Sequence, residues 1–450
     1  MRSRNSVMSV ETGHPEKKIP KGWRVVPLKA VAETRFSSVD KLTSPSEEPV
    51  RLCNYTDVYK NDYITDGMEF MRASATLQEI SRFGLQVGDV IVTKDSETPD
   101  DIGIPTVIDQ TAPDLVCGYH LALIRPKKDE LDPTFLAKQL SHGRLPRYFG
   151  RQATGLTRYG LSTGAVSDAP LWLPEIAEQK SIGEILRLLD RGIAKSEAVI
   201  AKLRQVRAGL LHDLLTRGLN EDGQLRDPVS HPEQFKDSPL GKIPKEWDVS
   251  PLGKLSQFVT SGSRGWANYY SKSGALFLRI GNLTREHINL RLDDIVRVSP
   301  PIGTEGARTK VESGDVLISI TADLGIIGVI PDSFEEAYVN QHIALVRPNS
   351  SVCPRWVGRY LSFGPSANYF RMLNDTGAKA GMSLPSISSL LLTVPTREEQ
   401  FRACAALDAA DTMIDHQKLE LQKFQQLKSG LMTDLLTGHV RITKITDSAS

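Results

Sequence analysis

Leu203-Arg-Gln-Val-Arg-Ala-Gly-Leu-Leu-His-Asp-Leu-Leu-Thr216 closes a long apolar stripe whose reading decides the fold. Taken at alternating intervals of four and three residues, the stripe runs Ile182, Leu186, Leu189, Ile193, Ser196, Ile200, Leu203, Arg207, Leu210, Leu214. All but Ser196 and Arg207 are apolar, the spacing at which a helix offers a continuous seam to another helix. The shift that carries Ile182 onto Ala403 finds the same pattern again, in Ala403, Leu407, Ala410, Ile414, Gln417, Leu421, Phe424, Lys428, Leu431 and Leu435. The polar breaks coincide, Ser196 with Gln417 and Arg207 with Lys428. The ends coincide as well, Gly209-Leu-Leu-His-Asp-Leu-Leu-Thr with Gly430-Leu-Met-Thr-Asp-Leu-Leu-Thr. Each stripe covers about 40 residues, roughly 60 Å of helix. A single apolar stripe ordinarily marks a helix buried on its own globule, but this length and the matched breaks predict two long helices that pair with each other.

Working outward, the rest of the chain repeats too. Lys18-Ile-Pro-Lys-Gly-Trp and Lys242-Ile-Pro-Lys-Glu-Trp open two units. Gly88-Asp-Val-Ile-Val-Thr and Gly314-Asp-Val-Leu-Ile-Ser read as turns launching β-branched strands. Strands ending at Arg125-Pro126 and Arg347-Pro348 follow. Pro133 and Pro354 then stand at helix starts, where proline is tolerated. Thr154-Gly155 and Thr376-Gly377 mark loops that lead to strands ending at Pro174 and Pro395. The predicted class is α+β, two tandem globules each followed by a long helix, with the two helices packing together as a pair. Expected boundaries are a flexible start at 1–17, globules at 18–174 and 242–395, helices at 175–217 and 396–438, an irregular Asp-, Gly- and Pro-rich linker at 218–241, and a tail at 439–450.

Composition bounds the function. Lysine and arginine number 55 against 54 acidic residues, so net charge selects no partner. Cys53, Cys117, Cys353 and Cys404 lie far apart, without zinc or disulfide spacing, which fits a reducing, cytoplasmic setting. No signal peptide or bilayer-spanning run is apparent, so no membrane partner is expected. Locally, however, charge segregates. Residues 134–167 hold Lys138, Arg144, Arg147, Arg151 and Arg158 with no acid, interleaved with Tyr148, Phe149 and Tyr159. Residues 249–285 hold Lys254, Arg264, Lys272, Arg279 and Arg285, again without an acid, beside Trp266, Tyr269 and Tyr270. Such runs are often plain solvated faces, yet their presence in both units suits phosphate and base-edge contact. Phosphate-loop, His-Glu-x-x-His and Gly-x-Ser-x-Gly signatures are missing. His120 and His342 repeat without a companion cysteine or carboxylate at ligand spacing and read as framework. No catalytic or metal site is expected.

The opening Ile-Pro-Lys-x-Trp, the strand end Pro395-Thr-Arg-Glu-Glu-Gln, the helix ends Gly-Leu-Leu-x-Asp-Leu-Leu-Thr and the joining segment Asp227-Pro-Val-Ser-His-Pro-Glu-Gln-Phe-Lys-Asp-Ser-Pro-Leu-Gly carry a resemblance. Over nearly its whole length the chain resembles the DNA-specificity subunit of type I restriction-modification systems. That resemblance implies target-recognition globules, each reading one half of a bipartite, asymmetric site on double-stranded DNA, with the two long helices pairing as an antiparallel coiled coil that acts as a spacer. It implies a non-catalytic subunit with no cofactor of its own. S-adenosylmethionine, ATP and magnesium would belong to the partners, two methyltransferase subunits and the restriction endonuclease/translocase subunits. Arg144, Arg147, Arg151, Arg158, Tyr159, Arg264, Lys272, Arg279 and Lys379 are then the expected DNA contacts. Leu211, Leu215, Met432 and Leu436 are the expected subunit contacts. A coiled-coil scaffold that organises proteins rather than DNA is the alternative.

Overall fold

The computed structural model describes residues 19–300, 303–375 and 381–442. The chain divides into two compact units, 1–197 with 420–450, and 198–419. The long helices span Ile176–Thr216 and Arg397–Leu436, so each unit holds part of both.

In the first unit, Arg24–Pro27 pairs antiparallel with Pro170–Leu173, the strand that runs into the first long helix. A five-stranded sheet follows in the order Ala32–Phe36, Leu121–Pro126, Val90–Thr93, Pro105–Ile108, Tyr63–Ile64. A three-stranded sheet of Met71–Ala75, Glu48–Cys53 and Leu115–Cys117 lies in the same unit. Val90-Ile-Val-Thr is buried on both faces, which accounts for its unbroken β-branched run. The repeated Gly-Asp and Arg-Pro signatures meet here. Asp89 takes the Gln86 N–H at 2.8 Å, closing its turn, and holds the Arg125 guanidinium of the next strand at 2.7 Å. Helix Pro133–Ser141 starts on the Asp132 side chain, which accepts from Phe135 N–H at 2.8 Å. Its Phe135 packs edge-on to Trp23, and this core also takes in Ile182 and Leu186 from the first helix with Met432, Leu435 and Leu436 from the second.

The second unit repeats the scheme. Asp248–Pro251 pairs with Leu391–Val394. Ser256–Ser261, Ile343–Pro348, Val316–Ser319 and Ile327–Val329 form one sheet. Asp315 takes the Glu312 N–H at 2.7 Å and Arg347 at 2.8 Å, as Asp89 does its counterparts. Trp247 and Trp356 meet edge-to-face at 5.6 Å, and Leu214, Leu215, Ala403 and Leu407 of the long helices complete the core. A second sheet, Tyr270–Ser271, Arg297–Val298, Ala275–Leu278 and Ala337–Val339, repeats the parallel pair Glu48–Cys53 and Leu115–Cys117 of the first unit in its last two strands, while its first two strands differ from the strand Met71–Ala75 found there.

None of the twenty seam positions is exposed. In the first unit Lys428 meets Asp190 at 2.5 Å, and a Cβ on Gly192 would stand 3.7 Å from the Phe424 ring. Partners thus descend on one helix as they ascend on the other, an antiparallel pair. The expected irregular linker is better ordered than its composition suggests. Arg226, buried, binds Glu399 at 2.7 Å, and Glu399 also accepts from Leu219 N–H and the Trp247 indole. Phe235–Ser238 and Gly241–Pro244 then form a hairpin. Charged anchors of this kind order a segment that carries few apolar side chains. The four cysteines are free and buried, and among the described residues no helix is long and apolar enough to cross a membrane.

Candidate nucleic-acid interface

The same backbone bonds build one loop edge in each unit. Lys94 N–H donates to His120 C=O at 3.1 Å, and Leu161 N–H donates to Lys94 C=O at 2.8 Å. In the second unit Ile320 N–H donates to His342 C=O and Met382 N–H to Ile320 C=O, both at 2.9 Å. The imidazoles occupy equivalent places with different partners, His120 on Asp95 at 2.8 Å and His342 on Thr321 at 2.5 Å. Framework is thus repeated and chemistry is not.

On the first edge, residues 154–160 form a tight loop closed by Thr154 N–H to Gly160 C=O at 3.0 Å and the reverse bond at 2.9 Å. Gly155 has φ +148°, and a Cβ there would meet Arg158 C=O at 2.0 Å, so only glycine fits. The loop carries Leu156 at its tip, 96% exposed, with Arg158 exposed beside it and Tyr159 half-buried in the strand paired to Asp95–Ser96. Lys94 lies 4.3 Å from the Tyr119 ring and 5.3 Å from Phe36, which holds its ammonium at the edge. Leu156, Lys94 and Tyr119 escaped sequence reading because a lone leucine, lysine or tyrosine carries no pattern. The Gly155 turn and its neighbouring arginine were the available signal.

On the second edge, Gly262 crosses the strand end so closely that a Cβ would lie 2.2 Å from Asn340 backbone atoms. Arg308 fixes that crossing by donating to Thr260 Oγ1 at 2.6 Å and Ser261 C=O at 2.5 Å. Arg264, two residues on, is exposed. Tyr270 is half exposed, whereas Trp266 is buried in a stack on Phe277, with rings 5.4 Å apart. Among the described residues Arg151, Arg158, Arg264 and Lys272 have no acidic partner. Lys379 lies outside the described residues.

Several expected contacts are placed differently. Arg144 folds back over the Trp172 ring at 3.8 Å, and burial, with Arg147 nearby, pushes its pKa down to about 10. It is a packing residue rather than a free cation. Arg147 and Arg151 lie exposed on helix Arg144–Gln152, with Arg147 donating to Gly143 C=O at 3.1 Å. Arg279 is tied to Asp294 at 2.8 Å and frames the turn at Ile280–Asn282. Lys138 of the basic run is buried against Asp190. Leu215, Met432 and Leu436 are buried in the cores of their own units, and Leu211 is half-buried there. Their periodicity reflects those cores, which corrects the expectation that they face a partner. Among the described residues no group of three or more His, Cys, Asp or Glu could hold a metal ion.

No family model matches the sequence. Individual relatives do. A type I restriction enzyme specificity subunit of Methanocaldococcus jannaschii, MjaX, is 24% identical over 439 residues, covering 94% of this chain and 95% of the relative. The chain is a homologue of type I specificity subunits. A second such subunit from the same organism, MjaVIII, is 23% identical over 287 residues, 61% of this chain and 62% of its own. Among solved structures, the S subunit of a type I restriction-modification system from M. genitalium superposes with a TM-score of 0.58 at 15% identity, covering 92% of this chain and 96% of that one. That likeness matches the two globules and their long helices.

Proposed function

We propose that this homologue is the non-catalytic, sequence-reading subunit of a type I restriction-modification complex. Each globule reads one half of a bipartite, asymmetric site on double-stranded DNA. The observation that carries this reading is the loop edge built twice by the same backbone bonds but furnished with different side chains, Lys94, Tyr119, Leu156 and Arg158 against Ile320, Gln341 and Arg264. A repeated frame with divergent furnishing is what two different half-sites require. Arg158 and Arg264 on glycine-shaped loops suit base edges, while Arg147, Arg151 and Lys272 suit phosphates. Arg158→Ala and Arg264→Ala should each change one half of the methylated sequence. A lost guanine contact corresponds to about 1–3 kcal/mol at a single base position. Mapping methylated adenines in each variant strain checks this. A change in both halves, or uniform weakening with a salt slope lower by about one, would reassign the residue to phosphate contact. A complex whose retention on DNA is indifferent to salt and to both substitutions would favour a protein scaffold instead.

The same reading has the chain recruit two methyltransferase subunits, which hold S-adenosylmethionine, and through them the ATP- and magnesium-dependent endonuclease/translocase subunits. With Leu215, Met432 and Leu436 buried, recruitment falls to apolar helix positions left in solvent. Val206 and Leu427, equivalent positions of the two helix repeats, are 54% and 51% exposed. Val206→Asp and Leu427→Asp should each weaken one methyltransferase site by about tenfold or more, because a charge buried unpaired at an interface is costly. Native mass spectrometry should show loss of one subunit in each single variant and of both in the double. Two methyltransferases still bound to the double variant would refute the placement.

A further inference from the structure

Arg207 and Lys428 interrupt the apolar seam at equivalent positions of the repeat, and the same shift relates Asp190 to Asp411 and Lys138 to Arg359. The structure gathers each set into a cluster inside its own unit. In the first, Asp190 holds Lys138 at 2.6 Å and Lys428 at 2.5 Å, with the Tyr63 hydroxyl donating at 2.7 Å. Asp62 stands 3.4 Å from Lys138 and 3.3 Å from Lys428. In the second, Asp411 pairs with Arg207 and holds Arg359 at 2.5 Å, while Asp408 takes Arg359 and Arg355, each at 2.6 Å. Each cluster joins three elements: an acid on one long helix, a cation on the other, and a cation on the first helix of the globule's C-terminal half. Burial works against the Lys428 ammonium, yet Asp62 and Asp190 hold its pKa above the usual lysine range.

The spacing is self-consistent. The step along the first helix from Asp190 to Arg207 is matched, residue for residue, by the step back along the second from Lys428 to Asp411. Both pairs therefore demand one stagger. Apolar heptads alone are less exacting, because a slide of seven residues again sets apolar against apolar. With the clusters, a slide in one direction brings Arg207 to Lys418, Asp190 to Leu435 and Asp411 to Leu214, and only Lys428 finds an acid, Glu197. A slide in the other direction brings Arg207 to Cys404 and Lys428 to Gly183. Buried ion pairs add little net stability compared with well-packed apolar side chains, so their contribution is to specificity. We propose that the two clusters are register keys, fixing the stagger of the paired helices and the seat of each globule's helix upon them. The consequence for recognition, a fixed gap between half-sites, rests on the function proposed above; the keys themselves do not.

The test replaces both keys with apolar side chains, Lys138→Met, Asp190→Leu and Lys428→Met together with Arg359→Met, Asp411→Leu and Arg207→Met, in the full chain. Two cysteine reporters read the stagger under mild oxidation, Gly192→Cys with Phe424→Cys for the native register and Gly192→Cys with Leu431→Cys for a slide of one heptad; the native cysteines are buried. With the keys intact, only the first reporter should cross-link. With both keys removed, the second should rise about tenfold while the melting temperature holds, as expected for apolar replacement of buried ion clusters. Lys138→Arg with Lys428→Arg, which copies the chemistry of the second unit, should keep the native register alone. Cross-linking confined to the native register in the keyless chain would overturn the proposal. So would loss of cooperative unfolding in that chain, which would make the clusters stability elements. A slid register with an unchanged gap in the methylated sequence would leave the keys standing and count against the helices as the DNA spacer.

Discussion

Asp411→Leu alone is expected to destabilise the second unit by about 3–5 kcal/mol, the typical cost of removing one partner from a buried ion cluster. Asp411 is 4% exposed and stands between Arg207 and Arg359, whose side chains are 17% and 0% exposed. Arg359 would keep Asp408, but among the described residues Arg207 has no second acid. Its charge would be left in the seam with little access to water and fixed in its protonated form. Asp190→Leu should cost less, because Asp62 remains close to both Lys138 and Lys428. The predicted order, Asp411 worse than Asp190 and both worse than the apolar triple replacement of a whole key, separates an ionic cluster from ordinary packing. Chemical denaturation of the three variants measures it. A loss below about 1 kcal/mol for Asp411→Leu would mean that Arg207 finds water or another partner, and that the seam there is wetter than its burial indicates.

The seam illustrates how far the sequence could be read. Periodicity and the long-range repeat were enough to predict two long paired helices, because a helix exposes its burial pattern in one dimension; their antiparallel sense came only with the family resemblance. Those same residues gave Arg207 and Lys428 only as unexplained charges. Their partners, Asp411 and Asp190, lie far away in sequence on the opposite helix, and no local spacing announces such a pair. Leu215, Met432 and Leu436 failed for a related reason. An apolar helix position reports burial but not what buries it, and here the chain's own globules do so. At the candidate interface, Gly155 and Arg158 were visible because a turn glycine has a local cause. Arg144 was misread because the Trp172 ring that covers it belongs to a later strand. The second sheet around Trp266 was hidden too, since its strands are short and their partners distant.

If, as proposed, each globule reads one half-site, insertion of four residues into both long helices, one within 194–204 and one within 415–425, is expected to widen the gap between the half-sites by about two base pairs. Four residues lengthen a helix by about 6 Å and turn it by about 40°. Two base pairs advance DNA by about 6.8 Å and turn it by about 70°, so advance matches well and twist is off by about 30°. DNA can absorb a twist mismatch of that size at modest cost. A single-residue insertion adds only about 1.5 Å, less than half a base-pair rise, but turns the helix by about 100°, the twist of about three base pairs, so advance and turn match no common number of base pairs. It should abolish methylation rather than shift the site. Both insertions must be made together, because a change in one helix alone offsets Asp190 from Lys428 or Arg207 from Asp411. Methylated-adenine mapping of the four-residue double insertion decides the matter: a wider gap with both half-sites intact supports the helices as the spacer. An unchanged gap in a complex that still methylates assigns the spacing to something other than helix length.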